Sequence, residues 1–158
     1  MRIPRVYTDQ PLAVNTSVEL DTASAHYVVN VLRMKEGRPI TLFNGMGGEY
    51  SGLLSAVSKK SAVVSLESFQ GVSLESSIEI TLGVCLIKND RMDWLLQKAV
   101  ELGVNRINPL LSEYTDVKLP VNRIEKKIQH WQQVLINACQ QSGRAHVPII
   151  GDPQPLNT

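Results

Sequence analysis

A chain of 158 residues, 43% hydrophobic and 20% charged, has the composition of a folded globular protein with room for one ordinary domain or two small ones. Sixteen Lys and Arg against fifteen Asp and Glu leave a formal charge of +1, which excludes a global attraction to nucleic acid and confines any such site to a local patch. No run approaches the roughly 20 apolar residues of a membrane-spanning helix, the amino terminus has no signal-peptide core, and Cys85 and Cys139 lie in apolar segments without CxxC or Cys/His spacing. A soluble cytoplasmic protein with buried thiols, no metal and no membrane contact is expected.

Residues 1–70 read as a small all-β domain. RVYT and SVEL are strands, and ASAHYVVNVLRM places Ala25, Val28, Val29 and Leu32 at helical spacing after a cap at Asp21 or Thr22. RPITLF is the next strand. Asn44-Gly45 predicts a type I′ hairpin turn, lengthened or bulged by Gly47 and Gly48. EYSGLLSAV and SAVVSLESF then form a meander about Lys59-Lys60, completing a largely antiparallel barrel with a short helix.

Residues 71–77, GVSLESS, are small and polar, as in a linker. Beyond them IEITLGVCLI is a nearly continuous apolar run, the pattern of a strand covered on both faces. NDRMDWLLQKAVELG follows as a helix, capped at Asn89 or Asp90, with Met92, Leu95, Leu96, Ala99 and Leu102 on its apolar side and a stop at Gly103. VNRINPLL is a strand, about Arg123 to Gln141 a helix striped by Ile124, Ile128, Trp131, Leu135 and Ala138, and VPII a strand. Residues 78–158 are therefore a β-α-β-α-β unit, half of an open parallel α/β domain.

Several residues in this frame have the chemistry of a site. The glycines of NGMGGEYSG lie between two strands and lack GK[ST], so they predict a hairpin and no phosphate loop. His26, His130 and His146 share no metal-ligand spacing and are assigned to surface or capping roles. KNDRMD follows the first parallel strand at its carboxyl end, where open α/β sheets place their ligand crevice; Lys88 and Arg91 there are equally compatible with a solvated first helical turn. Ser112 and Glu113 follow the second strand at the same edge. Arg144, after the Gly143 stop, lies at the amino end of the third strand and reads as a surface residue unless its loop folds over the crevice. In the first half Arg2, Arg5, Arg33, Lys35 and Arg38 form the densest basic set, with Tyr7 or Tyr27 as stacking faces, interrupted by Asp9 and Glu36.

Taken in order, RIPRVYTDQPL, VLRMKEGRPITLFNGMGGEY, KNDRMDWLLQKAVELGVNRINPLLSEYTDVKL and HWQQVLINACQQSGRAHVPII resemble the ribosomal RNA small subunit methyltransferase E family, RMDWLLQKAVELGV being the most specific block. The resemblance implies a PUA-like RNA-binding barrel followed by the first half of a SPOUT-type parallel α/β domain, S-adenosylmethionine as cofactor, and methylation of N3 of a uridine in the 16S rRNA of the small subunit. A homodimer is expected of the complete protein. Family members usually carry Ser-Glu-Arg where this chain has Ser112, Glu113 and Tyr114, and Glu-Gln-Ser/Cys-Gly-Arg where it has Gln140 to Arg144. The family's Gly-Pro-Glu-Gly-Gly and Leu-Arg-x-Glu-Thr-Ala motifs, which build the donor-binding knot, do not occur in the 158 residues, so a chain truncated before the knot and inactive alone is expected, with no residue assigned to the cofactor.

On this reading Arg144 holds a phosphate or the uracil carbonyl where charge develops, and Glu113 removes the N3 proton or orients the arginine. Lys88 and Arg91 contact RNA at the crevice mouth, and Arg5, Arg33 and Lys35 extend the footprint over the barrel. Two alternatives stand beside it: a non-catalytic RNA-binding protein that uses the barrel, and a small-molecule-binding α/β domain.

Overall fold

Period-two alternation in the first half of the chain and helical periodicity in the second are realised in separate units, Met1–Leu74 and Glu75–Thr158. The computed structural model describes residues 3–71, 76–113 and 119–156, and of Asn89 the backbone alone. Arg2, Tyr114 and residues 72–75 of the expected linker lie outside the described residues.

The first unit contains β1 (Arg5–Tyr7), β2 (Ser17–Glu19), α1 (Thr22–His26), a π-helical turn (Tyr27–Val31), β3 (Pro39–Phe43), β4 (Glu49–Val57) and β5 (Ala62–Gln70). Its five-stranded sheet has the order β1-β3-β4-β5-β2, with β1 parallel to β3 and every other pair antiparallel. Register shifts between Ser51 and Gly52 and between Leu54 and Ala56 interrupt the β4–β5 ladder, and such bulges increase twist, so the sheet curls around its apolar face. Val6, Val18, Ile40, Leu42, Leu54, Val64 and Leu66 fill the concave side, and α1 adds Ala25. Gly52 is required by the first bulge, since a Cβ there would lie 2.2 Å from the Ser65 carbonyl oxygen.

Two local expectations change. Asn44 is absent from the residues with positive φ, so no type I′ turn forms; its Oδ1 accepts from the Met46 N–H at 3.2 Å, and the left-handed positions fall to Gly45, Gly47 and Gly48. Leu32 is exposed instead of buried, because the helix after Asp21 is not α-helical to its end. The Leu32 N–H reaches the Tyr27 carbonyl, five residues back, and this wider turn rotates Leu32 off the stripe that buries Ala25 and Val28.

The expected cap at Asp21 is present. Its carboxylate accepts from the Ala23 and Ser24 N–H groups at 2.8 and 2.9 Å. Partial burial pushes its pKa up, but the hydrogen bonds from Ser24 and Ala23 outweigh this and hold it below the ordinary carboxylate value.

The second unit contains β6 (Thr81–Cys85), α2 (Asn89–Glu101), β7 (Arg106–Leu111), α3 (Val121–Ser142), β8 (Ile149–Ile150) and β9 (Gln154–Pro155). All pairings are parallel: β6 and β8 flank β7, and β9, not foreseen from the sequence, pairs with the last residues of β7 where β8 has ended. Successive right-handed crossovers in one direction put α2 and α3 on the same face. Met92, Leu96, Ala99 and Val100 of α2 and Trp131, Leu135, Ala138 and Cys139 of α3 are buried there, as is Ile107 of β7.

Among the described residues, the strand expected to be covered on both faces is an edge strand with one covered face. Leu82 and Val84 are half-buried beside Ile107 and Pro109, while Thr81 and Gly83 are exposed. On α2 the cap is Lys88 in place of Asn89 or Asp90, because the Lys88 carbonyl already accepts from the Arg91 and Met92 N–H groups. Leu102 is exposed because it follows the last full turn of α2, and Val100 takes its expected place in the core. Gly103 and Gly143 end the two helices in the left-handed conformation, at φ 91° and 87°.

Gly52→Ala should lower stability by about 1–3 kcal/mol in urea titration, since the clash is with backbone. Asp21→Ala should cost about 1 kcal/mol at neutral pH. Because the folded pKa lies below the unfolded one, that stabilisation is complete above the unfolded value and is lost as pH falls through the folded value. The difference between wild-type and variant melts should therefore be constant down to about pH 4 and shrink below it.

Candidate functional site

The ladder register brings three of the expected site residues to one edge. β6 and β7 pair from Thr81 with Arg106 to Cys85 with Leu110, and the Leu86 N–H extends the ladder to the Leu110 carbonyl at 2.9 Å. Lys88 therefore leaves β6 close to where Glu113 leaves β7, at the carboxyl edge of two parallel strands, the edge at which open α/β sheets bind ligands. Lys88, Arg91 and Glu113 are all exposed. Two cations in the first turn of α2 oppose its dipole, which Asp90 in the same turn partly offsets. Ser112 beside them is half-buried.

Arg144 stands at the opposite edge. It is buried, 7% exposed, and its Nη1 donates to the carbonyls of Val104 at 2.7 Å and Val100 at 3.2 Å. These carbonyls close α2 and precede β7, so the guanidinium sits at the negative end of the helix dipole on the amino side of the sheet. Burial removes the surface reading of this residue. The six residues of β7 separate it from Glu113 by on the order of 20 Å, so the arginine and the carboxylate are not brought together.

In the first unit, Arg5 is held by the fold. Its Nε donates to Glu49 Oε1 at 2.7 Å, and its guanidinium lies 4.6 Å from the Phe43 ring centroid, tying β1 to β4 across β3. Tyr7, one of the two candidate stacking faces, packs edge-on against Phe43 at 5.6 Å, while Tyr27 is exposed. Arg33 and Lys35 are exposed, and Arg33 holds a left-handed φ of 52°. Together with Arg38 they rim a cavity of about 390 Å³. Its apolar lining is Ile3, Pro4, Leu32, Met34 and Pro39. Sequence reasoning found the basic residues and missed the cavity; the cue available was the alternation of apolar and basic residues in LRMK.

Other expected roles resolve simply. His130 pairs through Nε2 with Asp93 Oδ2 at 2.7 Å, joining α3 to α2 at the surface. Cys139 is buried and Cys85 half-buried, neither in a disulfide among the described residues, and the Cys139 thiol donates to the His146 carbonyl at 3.5 Å. Among the described residues there is no His, Cys, Asp or Glu group able to hold a metal, and no helix long and apolar enough to cross a membrane.

Residues 74–158 match a family model described as an RNA methyltransferase domain, and residues 20–67 one described as an RNA methyltransferase PUA domain. Ribosomal RNA small subunit methyltransferase E of Buchnera aphidicola subsp. Schizaphis graminum is 34% identical over 97% of this chain and 62% of its own length. The protein of the same name from Bacillus subtilis is 29% identical over 92% of this chain and 57% of its own. The crystal structure of Ribosomal RNA small subunit methyltransferase E from Neisseria gonorrhoeae, bound to S-adenosyl methionine, superposes with a TM-score of 0.92 at 36% identity, covering 98% of this chain and 63% of that one. The chain thus spans about three fifths of the length of these relatives.

Arg144→Ala should destabilise the second unit by about 2–4 kcal/mol, since it removes two charge-assisted bonds and leaves the Val104 carbonyl without its arginine donor. Arg144→Lys should recover part of this. A variant that melts like the wild type would show that these bonds do not hold the unit together.

Proposed function

Because the chain belongs to the RNA methyltransferase family that includes ribosomal RNA small subunit methyltransferase E, we propose that it supplies the RNA-binding barrel and one wall of the active site of an enzyme that methylates N3 of a uridine in 16S rRNA. The donor is S-adenosylmethionine, as bound in the Neisseria gonorrhoeae relative, and a ribosomal substrate puts the reaction in the cytoplasm. The observation that carries the reading is the convergence of Lys88, Arg91 and Glu113 on the carboxyl edge of β6 and β7.

Transfer to N3 requires the N3–H proton to leave and the resulting charge on the uracil carbonyls to be stabilised. Glu113 takes the proton on its carboxylate. Lys88 and Arg91 hold RNA phosphates and keep the base over that edge. Arg144, for which the sequence suggests a direct contact with substrate, acts in this proposal as a positioning residue: it fixes the carboxyl end of α2, whose amino end presents Lys88 and Arg91.

None of the described residues is assigned to the methyl donor. We place its pocket in the part of the family's length that this chain does not match, and assign the complete protein as a homodimer.

The test is methylation of small ribosomal subunits by the protein of the complete reading frame, with nucleoside mass spectrometry of the product. N3-methyluridine is expected, and another methylated nucleoside would refute the assignment. Glu113→Gln should lower the single-turnover rate by about a hundredfold with RNA affinity unchanged, the scale of one general base. An unaffected rate would remove Glu113 as the base, and absence of any methylation by the wild-type protein would favour the alternative in which the chain only binds RNA.

A further inference from the structure

The cavity beside the π-helical turn plays no part in the methylation chemistry, yet its construction is specific. Its lining is apolar at Ile3, Leu32, Met34 and two prolines and cationic at Arg33, Lys35 and Arg38, and among the described residues no acidic side chain lines it. Among the described residues the side chains of Arg33 and Lys35 engage no hydrogen-bond or ion-pair partner. A volume of about 390 Å³ is that of a small-ligand site.

Each feature narrows the occupant. A simple anion has no use for an apolar lining, and a purely apolar ligand has no use for three cations. A group that needs both is flat and apolar at one end and anionic at the other, as a nucleotide is. The apolar lining offers only Ile, Leu, Met and Pro side chains, none of which forms hydrogen bonds that read a base edge, while arginine planes stack on bases of any kind. The backbone is committed to the same end: Arg33 occupies a left-handed φ where a glycine would be free, and the π-helical turn swings Leu32 out of the core into the cavity wall.

We propose that this cavity receives one unpaired nucleotide of the bound RNA, its base against Leu32 and Met34 and its phosphate against Arg33 and Lys35, without selecting the base. The inference rests on the RNA reading given above and adds a second anchoring point distinct from the methylated uridine.

Fluorescence anisotropy with the intact chain tests it, using an RNA hairpin that carries a single-uridine bulge, the same hairpin with an abasic bulge, and the fully paired hairpin. The uridine bulge should bind about tenfold more tightly than the abasic one, and a cytidine bulge as tightly as uridine. Arg33→Ala/Lys35→Ala should weaken binding and reduce the slope of log affinity against log salt by about 1 to 2, one for each phosphate that is no longer neutralised. Leu32→Glu, at an exposed position, should erase the preference for a base, and thermal melts of each variant verify the fold. If RNA binds but bulge and abasic hairpins are equivalent, or the double variant keeps the wild-type affinity and salt slope, the nucleotide site is wrong while the RNA reading stands. Failure of the wild-type chain to bind any of the hairpins would overturn both. Sedimentation showing that Leu32→Glu dissolves a dimer would instead make the cavity a contact between two copies of the chain.

Discussion

A buried guanidinium sets the terms for the second unit. Removing Arg144 from water costs several kcal/mol, and the carbonyls of Val100 and Val104 at the carboxyl end of α2 offset part of that cost, the first of them also accepting from the Gly103 N–H. The benefit is mutual: the cation gains buried acceptors and the helix end gains a donor. The loop after α3 is thereby fixed against the loop before β7, which aligns β8 with the first residues of β7. The β6–β7 ladder then carries the opposite end of the strands, where Lys88 and Glu113 emerge at the same edge.

The first unit solves a related problem with a different geometry. Its sheet is curled but its edge strands, β1 and β2, do not pair with each other, so the three-residue β1 needs attachment beyond its ladder with β3. Arg5 supplies this by bonding Glu49 of β4 and lying over Phe43 of β3. One of the residues first read as part of an RNA footprint is thus committed to the architecture, and the basic surface is carried by the neighbours of the helix end.

Features set by the chemistry of a few adjacent residues were legible in the sequence. The Asp21 cap, the stops at Gly103 and Gly143, the apolar stripe of α3 and the division into a β-rich and an α/β half follow from local propensity and periodicity. What escaped depends on partners distant in the chain or on hydrogen bonds without a side-chain signature. Arg144 finds its acceptors 40 and 44 residues upstream, and nothing adjacent to it announces burial. β9 is two residues long and contains a proline, which no strand pattern would select. An apolar run such as IEITLGVCLI records hydrophobicity but not which neighbours cover it, so a strand with one covered face among the described residues was read as covered on both. The placement of Lys88 and Glu113 at one carboxyl edge follows from strand order, whereas the cavity of the first unit required knowing which way Leu32 turns.

The π-helical turn carries a consequence for how this surface varies among related chains. A π turn amounts to one residue more than an α-helix needs between the same two points, and each residue of an α-helix advances the side-chain direction by about 100°. Loss of a single residue between Tyr27 and Val31 would restore the α register, return Leu32 to the core and swing Arg33 and Lys35 away from the cavity with every side chain intact. The rim is encoded by a residue count as much as by residue identity, so an alignment gap in this helix would change the surface more than many substitutions.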